Sequence, residues 1–191
     1  MRHYLLVGTT CILALTFAAA DDEGRNEPVV VAAEYGSCYA KSVPSDEYGE
    51  RGTTKIFAVQ RGTDTLIQMY PWFAQELYVD CPSPYSTPPR VSVVQLGPWP
   101  RGRTANAETL AIAFYLDGRL LKRYSTLDIA GSPTNVHASS HHYTVFEKVF
   151  GYRWGTGHQR FVVRTTDGRT LVFDSDTGSL VEDKNVPLER P

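Results

Sequence analysis

From residue 29 onward the apolar positions fall in short runs rich in Val, Ile, Phe, Tyr and Thr, separated by Gly, Pro and Asp: 29–35, 54–60, 65–70, 76–80, 91–96, 110–116, 119–125, 143–150, 160–165, 170–174 and 179–182. Runs of that length and composition, bounded by turn residues, predict β-strands. The strongest competing pattern is 105–116, where Ala105, Ala107, Glu108, Leu110 and Ala111 favour a helix. It runs into Asp117-Gly118, however, a pair suited to the positive φ angles of a two-residue hairpin, with a returning strand at 119–125. Strand is therefore expected on both sides of that turn. Residues 82–100 hold six of the 12 prolines (Pro82, Pro84, Pro88, Pro89, Pro98 and Pro100). Proline fixes φ and cannot donate to a ladder, so this stretch is expected as a long connection broken by one edge strand at 91–96.

The first 20 residues follow a different pattern. Arg2 precedes an apolar run from Leu5 to Phe17, and Ala18, Ala19 and Ala20 stand just before the acidic Asp21, Asp22 and Glu23. This is the order of a secretory signal peptide, so residues 1–20 are expected to be removed and the protein exported, secreted or periplasmic. The run is interrupted by Gly8, Thr9 and Thr10 and falls short of the roughly 20 apolar residues a spanning helix needs. No later window is apolar enough to span a bilayer, so no transmembrane segment is expected after cleavage. Residues 21–28, with four acids, Gly24 and Pro28, read as a flexible mature terminus, 29–185 as one β-rich domain and 186–191 as a C-terminal tail.

Export changes the meaning of the cysteines. Cys11 leaves with the signal, and Cys38 and Cys81 are an even pair in an oxidising compartment, expected as one disulfide. Closing that loop is worth roughly 4 kcal/mol in the chain-entropy model.

With 42% hydrophobic and 21% charged residues, 15 Gly and a net charge of −2, the chain is no disordered tail, collagen or coiled coil. The charge is unevenly spread. Residues 21–100 carry six basic against eleven acidic side chains, whereas 101–170 carry ten against five.

Self-similarity adds a repeat. Asp117-Gly118-Arg119-x-Leu121 and Asp167-Gly168-Arg169-x-Leu171 each follow an apolar strand, 50 residues apart, and a looser copy surrounds Gly62-Thr63-Asp64. Three units of about 50 residues would nearly fill the mature chain. The closing unit continues into Phe173-Asp174-x-x-Thr177-Gly178. It resembles the inner-strand hairpin of β-propeller blade repeats, which run strand, D-G-R, strand, F-D-x-x-T-G. The resemblance is strong over about 20 residues there and weaker over about 20 around Asp117. Three units fall below the usual four for closure, and the Trp-Asp pair of one large propeller family is absent. The expected fold is all-β: antiparallel hairpins of about 50-residue repeat in a sandwich, barrel or small propeller-like array.

The chemistry-bearing residues point mainly to binding. Arg101, Arg103 and Arg153 lie among Trp99, Tyr124, Tyr152 and Trp154, and guanidiniums among rings suit a glycan, an anionic envelope component or a protein partner. Trp72 in Pro71-Trp72-Phe73 and Trp99 in Gly97-Pro98-Trp99-Pro100 sit beside turn residues, where a ring is readily exposed. Nucleic acid does not suit an exported, acidic chain. The rival class is a metal-dependent or hydrolytic enzyme built on His137, His141 and His142. On an extended chain His137 and His141 share a face and could ligate a metal with Asp128 or His158. Ser139 or Ser140 could serve a hydrolase, but there is no G-x-S-x-G elbow. Asp174 to Ser179 departs from a calcium loop, with Gly178 fifth where Asp or Asn belongs. No phosphate-cradling or dinucleotide motif occurs, so no cofactor is expected. The expectation is a non-enzymatic binding or interaction module.

Overall fold

The computed structural model describes residues 24–34, 36–81, 90–155, 157–182 and 186–188. Three four-stranded antiparallel sheets form its framework, each a meander whose strands lie side by side in chain order. The first holds β1 (Val29–Ala32), β2 (Cys38–Pro44), β3 (Gly52–Ala58) and β4 (Thr65–Tyr70). The second holds β5 (Leu77–Asp80), β6 (Ser92–Leu96), β7 (Leu110–Leu116) and β8 (Arg119–Ser125). One helical turn, α1 (Thr126–Ala130), and a short ribbon of β9 (His137–Ala138) and β10 (Tyr143–Thr144) lead to the third: β11 (Phe146–Trp154), β12 (Gln159–Thr165), β13 (Thr170–Asp174) and β14 (Leu180–Val181). The fold is all-β and sandwich-like, and its sheets do not close into a barrel.

Side-chain alternation stacks the sheets. In the second sheet Leu77, Val79, Val91 and Val93 pack with Cys38, Ala40, Ile56 and Tyr70 of the first. Their neighbours Tyr78, Val94, Leu96 and Phe114 pack with Phe161, Val163 and Phe173 of the third. Successive residues of a strand point to opposite faces, so a sheet with apolar residues at both parities can feed two cores. The second core is largely aromatic, with Phe114 4.9 Å from Phe173 and 5.9 Å from Phe161 between ring centroids. The outer face of the third sheet, at Phe150, Val162 and Val172, is covered by Val186 and Leu188.

The expected hairpin at Asp117-Gly118 is present. Asp117 and Gly118 have φ of 49° and 82°, the positive pair that a type I′ turn requires. Its tip is anchored where β6 begins: the Val91 N–H donates to Asp117 Oδ1 and the Asp117 N–H to the Val91 carbonyl, both at 2.9 Å. The Asp167-Gly168 turn is built differently, with only Gly168 at positive φ and the Gly168 N–H donating to the Thr165 carbonyl at 2.9 Å. The two turns also join different strand pairs, β7 to β8 and β12 to β13.

Three local features depart from expectation. The strand at 91–96 is no edge: β6 is hydrogen-bonded to β5 on one side and β7 on the other, and all five of its residues are buried. The prolines that suggested an edge lie outside the strand, so none interrupts a ladder. β2 was not expected, because Ala40 and Ser42 dilute its apolar signal; it is nonetheless a central strand, and Ser42 is satisfied by Thr54 Oγ1 at 2.8 Å. α1 follows directly on β8, started by a capping box in which the Ser125 hydroxyl accepts from the Asp128 N–H and the Asp128 carboxylate accepts from the Ser125 N–H.

Cys38 and Cys81 are bonded, with their Cα atoms 6.1 Å apart, and tie the start of β2 to the end of β5 across the first core. Residues 24–28 form no strand or helix; the Asn26 N–H donates to the Glu47 carbonyl at 2.8 Å and its side chain to the Gly49 carbonyl at 3.0 Å. Residues 1–20, expected as a signal peptide, the prolines at 82–89 and part of the expected C-terminal tail lie outside the described residues. Among the described residues no helix is long and apolar enough to cross a membrane.

Because the cystine spans two layers and closes a loop of 43 residues, replacing it by Cys38→Ser with Cys81→Ser is expected to lower stability by roughly 2–4 kcal/mol. Calorimetry should show a fall in Tm of several degrees while circular dichroism retains the β spectrum.

Candidate functional site

The last pair of the β11–β12 ladder sets Trp154 opposite Gln159. Just beyond it the Gly155 N–H donates to the His158 carbonyl at 2.9 Å. A large ring at the end of a ladder has no next strand to cover it, and Trp154 is 56% exposed. Next to it stands the turn between β13 and β14. There Asp174 Oδ1 accepts from the N–H groups of Asp176 and Thr177 at 3.1 and 3.0 Å, an Asx turn that projects the Asp176 carboxylate. Arg90, just before β6, pairs with Asp176. Trp154, Arg90, Asp176, His158, Gln159 and Ser92 thereby enclose a pocket of about 260 Å³.

Its base is held by buried polar contacts. Gln159 Nε2 donates to Asp80 Oδ2 at 2.7 Å, and Ser92 Oγ is 2.9 Å from the Tyr152 hydroxyl. Burial pushes the Asp80 carboxyl above the usual aspartate range, against the Gln159 hydrogen bond. Burial likewise raises the Tyr152 phenol, with Ser92 opposing. Arg160 lies against Asp174 at 2.5 Å and braces the turn that carries Asp176.

The other expected binding residues divide among separate places. Tyr152, Arg153 and Trp154 share β11, but Tyr152 packs 5.3 Å from Phe161, and Arg153 is half-buried and donates to the Tyr152 carbonyl at 2.7 Å. Tyr124 is a core residue whose hydroxyl donates to the Gly178 carbonyl at 2.9 Å. Trp72 is half-buried, stacked 5.1 Å from Tyr70 and 5.4 Å from Tyr115. Arg103 is exposed, and Arg101 stands 5.9 Å over the Tyr48 ring. Trp99 is 63% exposed. It separates two hollows of about 230 and 290 Å³, one reaching Tyr143 and Lys148, the other Arg25 and Gln75. Its segment leaves β6 through Gly97, where a Cβ would lie 1.8 Å from the Leu110 carbonyl oxygen. Only glycine fits that approach.

The histidines do not converge. His137 pairs with Thr144 across the β9–β10 ribbon and is exposed, as is His141 near its tip. His142 is buried, its ring 5.8 Å from Trp99. Asp128 is engaged in the α1 capping box, its Oδ2 2.8 Å from both the Ser125 N and Oγ, which holds its carboxyl below the usual range. Among the described residues no three His, Cys, Asp or Glu side chains are grouped to hold a metal ion.

Sequence reasoning picked out Trp154 but missed Arg90, Ser92, Gln159 and Asp176, which come from three strand ends, the starts of β6 and β12 and the end of β13. Only the pairing of Trp154 with Gln159 across a short hairpin was a local signal. Compared with protein-family models, curated proteins and solved structures, the chain matches none.

The raised Asp80 carboxyl yields a signed test. Its folded pKa lies above the unfolded value, so the ionised group opposes folding at neutral pH, and that opposition fades as pH falls through the raised value toward about 3.9. Asp80→Asn keeps an acceptor for Gln159 and removes the charge. It should melt at a higher Tm than the wild type at pH 7, with the difference closing at pH 3.5, as followed by scanning fluorimetry.

Proposed function

We propose that the chain is an exported, non-enzymatic glycan-binding module whose site is the pocket beside Trp154. The observation that carries this reading is an exposed indole face set against polar side chains of both kinds, donors from Arg90 and Gln159 and acceptors from Asp176 and Ser92. A pyranose presents a C–H face that an indole can cover, while its hydroxyls need donors and acceptors around the rim. The volume, about 260 Å³, lies just under the range of drug-sized sites. It suits one sugar residue at the end or side of a longer glycan. The Arg90 guanidinium can give a carboxylate or sulfate on the glycan a charge-assisted hydrogen bond. Export is supported by the basic, apolar and small-residue order of 1–20 and by the Cys38–Cys81 disulfide, a bond that persists in oxidising compartments.

Binding is expected on a panel of neutral, uronic-acid and sulfated oligosaccharides, read by indole fluorescence and titration calorimetry. Trp154→Ala should weaken it by about 30-fold or more, the effect of removing an aromatic anchor, with Tm unchanged, and Trp99→Ala should spare it. Failure of every glycan to bind, or affinity untouched by Trp154→Ala, refutes the reading.

A further inference from the structure

The stack of sheets has two end faces, and the chain treats them differently. The outer face of the third sheet is covered by Val186 and Leu188. No comparable cluster covers the outer face of the first sheet among the described residues. Its register places two rows of side chains there. One reads Val30, Lys41, Lys55, Met69 across the four strands; the next reads Ala32, Tyr39, Phe57, Leu66. Val30 and Met69 are 64% and 63% exposed, Leu66 and Val43 less so, and Tyr39 stacks on Phe57 at 5.1 Å.

At the centre of this apolar face Lys41 and Lys55 stand directly opposite one another. Like charges at opposed positions destabilise a sheet, and neither ammonium takes part in an ion pair with a described residue. Two uncompensated cations ringed by exposed aliphatic side chains call for a partner that is anionic and apolar at once. A second copy of the chain would set lysine against lysine. A protein partner fits poorly, because lysine is depleted from the cores of protein interfaces. A bilayer with acidic headgroups meets both needs: lysine stems lie along apolar groups while their ammoniums stay at phosphate level, and Tyr and Phe settle at the same depth.

We propose that the outer face of the first sheet docks on an anionic lipid surface, through Lys41 and Lys55 to the headgroup phosphates and through Val30, Leu66 and Met69 to the acyl boundary. This surface is separate from the Trp154 pocket and does not depend on the glycan reading.

Co-sedimentation of the purified protein with vesicles of phosphatidylcholine alone, or containing 3 parts in 10 phosphatidylglycerol, tests it. Binding is expected only to the acidic vesicles and should fall as sodium chloride is raised from about 50 to 500 mM. Lys41→Gln with Lys55→Gln should weaken it about 30-fold, and Leu66→Ser with Met69→Ser should weaken it separately. All four side chains are surface residues, so melting curves should match the wild type; the salt series on the wild type remains decisive if a variant does not fold. Trp154→Ala should bind vesicles normally. No binding to acidic vesicles, equal binding to both compositions, or binding unchanged in both double variants overturns the proposal. Capture of soluble oligoglutamate without vesicle binding overturns it in favour of an acidic protein partner.

Discussion

Everything in this molecule hangs on the second sheet being buried on both faces. β6 has no exposed residue, and its alternating side chains enter two different cores, Val93 toward the first sheet and Val94 and Leu96 toward the third. Such a strand is expensive to leave unpaired, since its backbone groups have no water to turn to. The ladders to β5 and β7 are therefore obligatory, and the cystine adds a covalent tie between the first two layers. Of the outer sheets, the first buries one face, and the third has its second face covered only by the short segment that carries Val186 and Leu188. Both sheets can carry polar edges, exposed rings and turns without loss to the core.

That division places the candidate surfaces. Polar side chains with raised or engaged groups, Asp80, Gln159 and Ser92, collect at the strand ends where the second and third sheets meet, because there the apolar layers give way to solvent. Rings that the cores cannot use finish exposed at strand ends, Trp154 closing β11 at that end and Trp99 beyond β6 at the opposite one. Tyr124 and Trp72, by contrast, face inward across sheet interfaces and are spent on packing. The basic, aromatic character of 101–170 thus resolves into separate places, not one face.

Strand content was legible in the chain because runs of β-branched and aromatic residues between turn residues have few other readings, and Asp117-Gly118 marked its hairpin by the backbone angles it needs. What escaped has physical causes. β2 hides behind Ala40 and Ser42, small residues chosen by a tight interface; its buried Ser42 is paid for by Thr54. β6 was misplaced because prolines nearby in sequence say nothing of which strands will flank a segment. α1 depended on a capping box, Ser125 with Asp128, whose acid had also looked like a metal ligand. The pocket walls could not be found at all by spacing: Arg90 and Asp176 are 86 residues apart, and only the stacking of sheets brings them together.

An open stack of layers must dispose of two terminal faces, and this is where layered β proteins differ from closed barrels. Here Val186 and Leu188 serve the third sheet, while the first shows Lys41 opposite Lys55 within an apolar field. A buried-type face with charges at its middle is unsuited to pairing with another sheet, since each ammonium would be desolvated without a counterion. The lysines thus guard the face against stacking with a further copy of itself, and the exposed aliphatic groups keep it from being merely a solvated surface. Strand-end pocket and sheet face are at right angles by construction: one is formed where side chains run out, the other where they project. A molecule resting on its first sheet would leave the ends of its second and third sheets open to solvent, so that two surfaces of different chemistry can be occupied together.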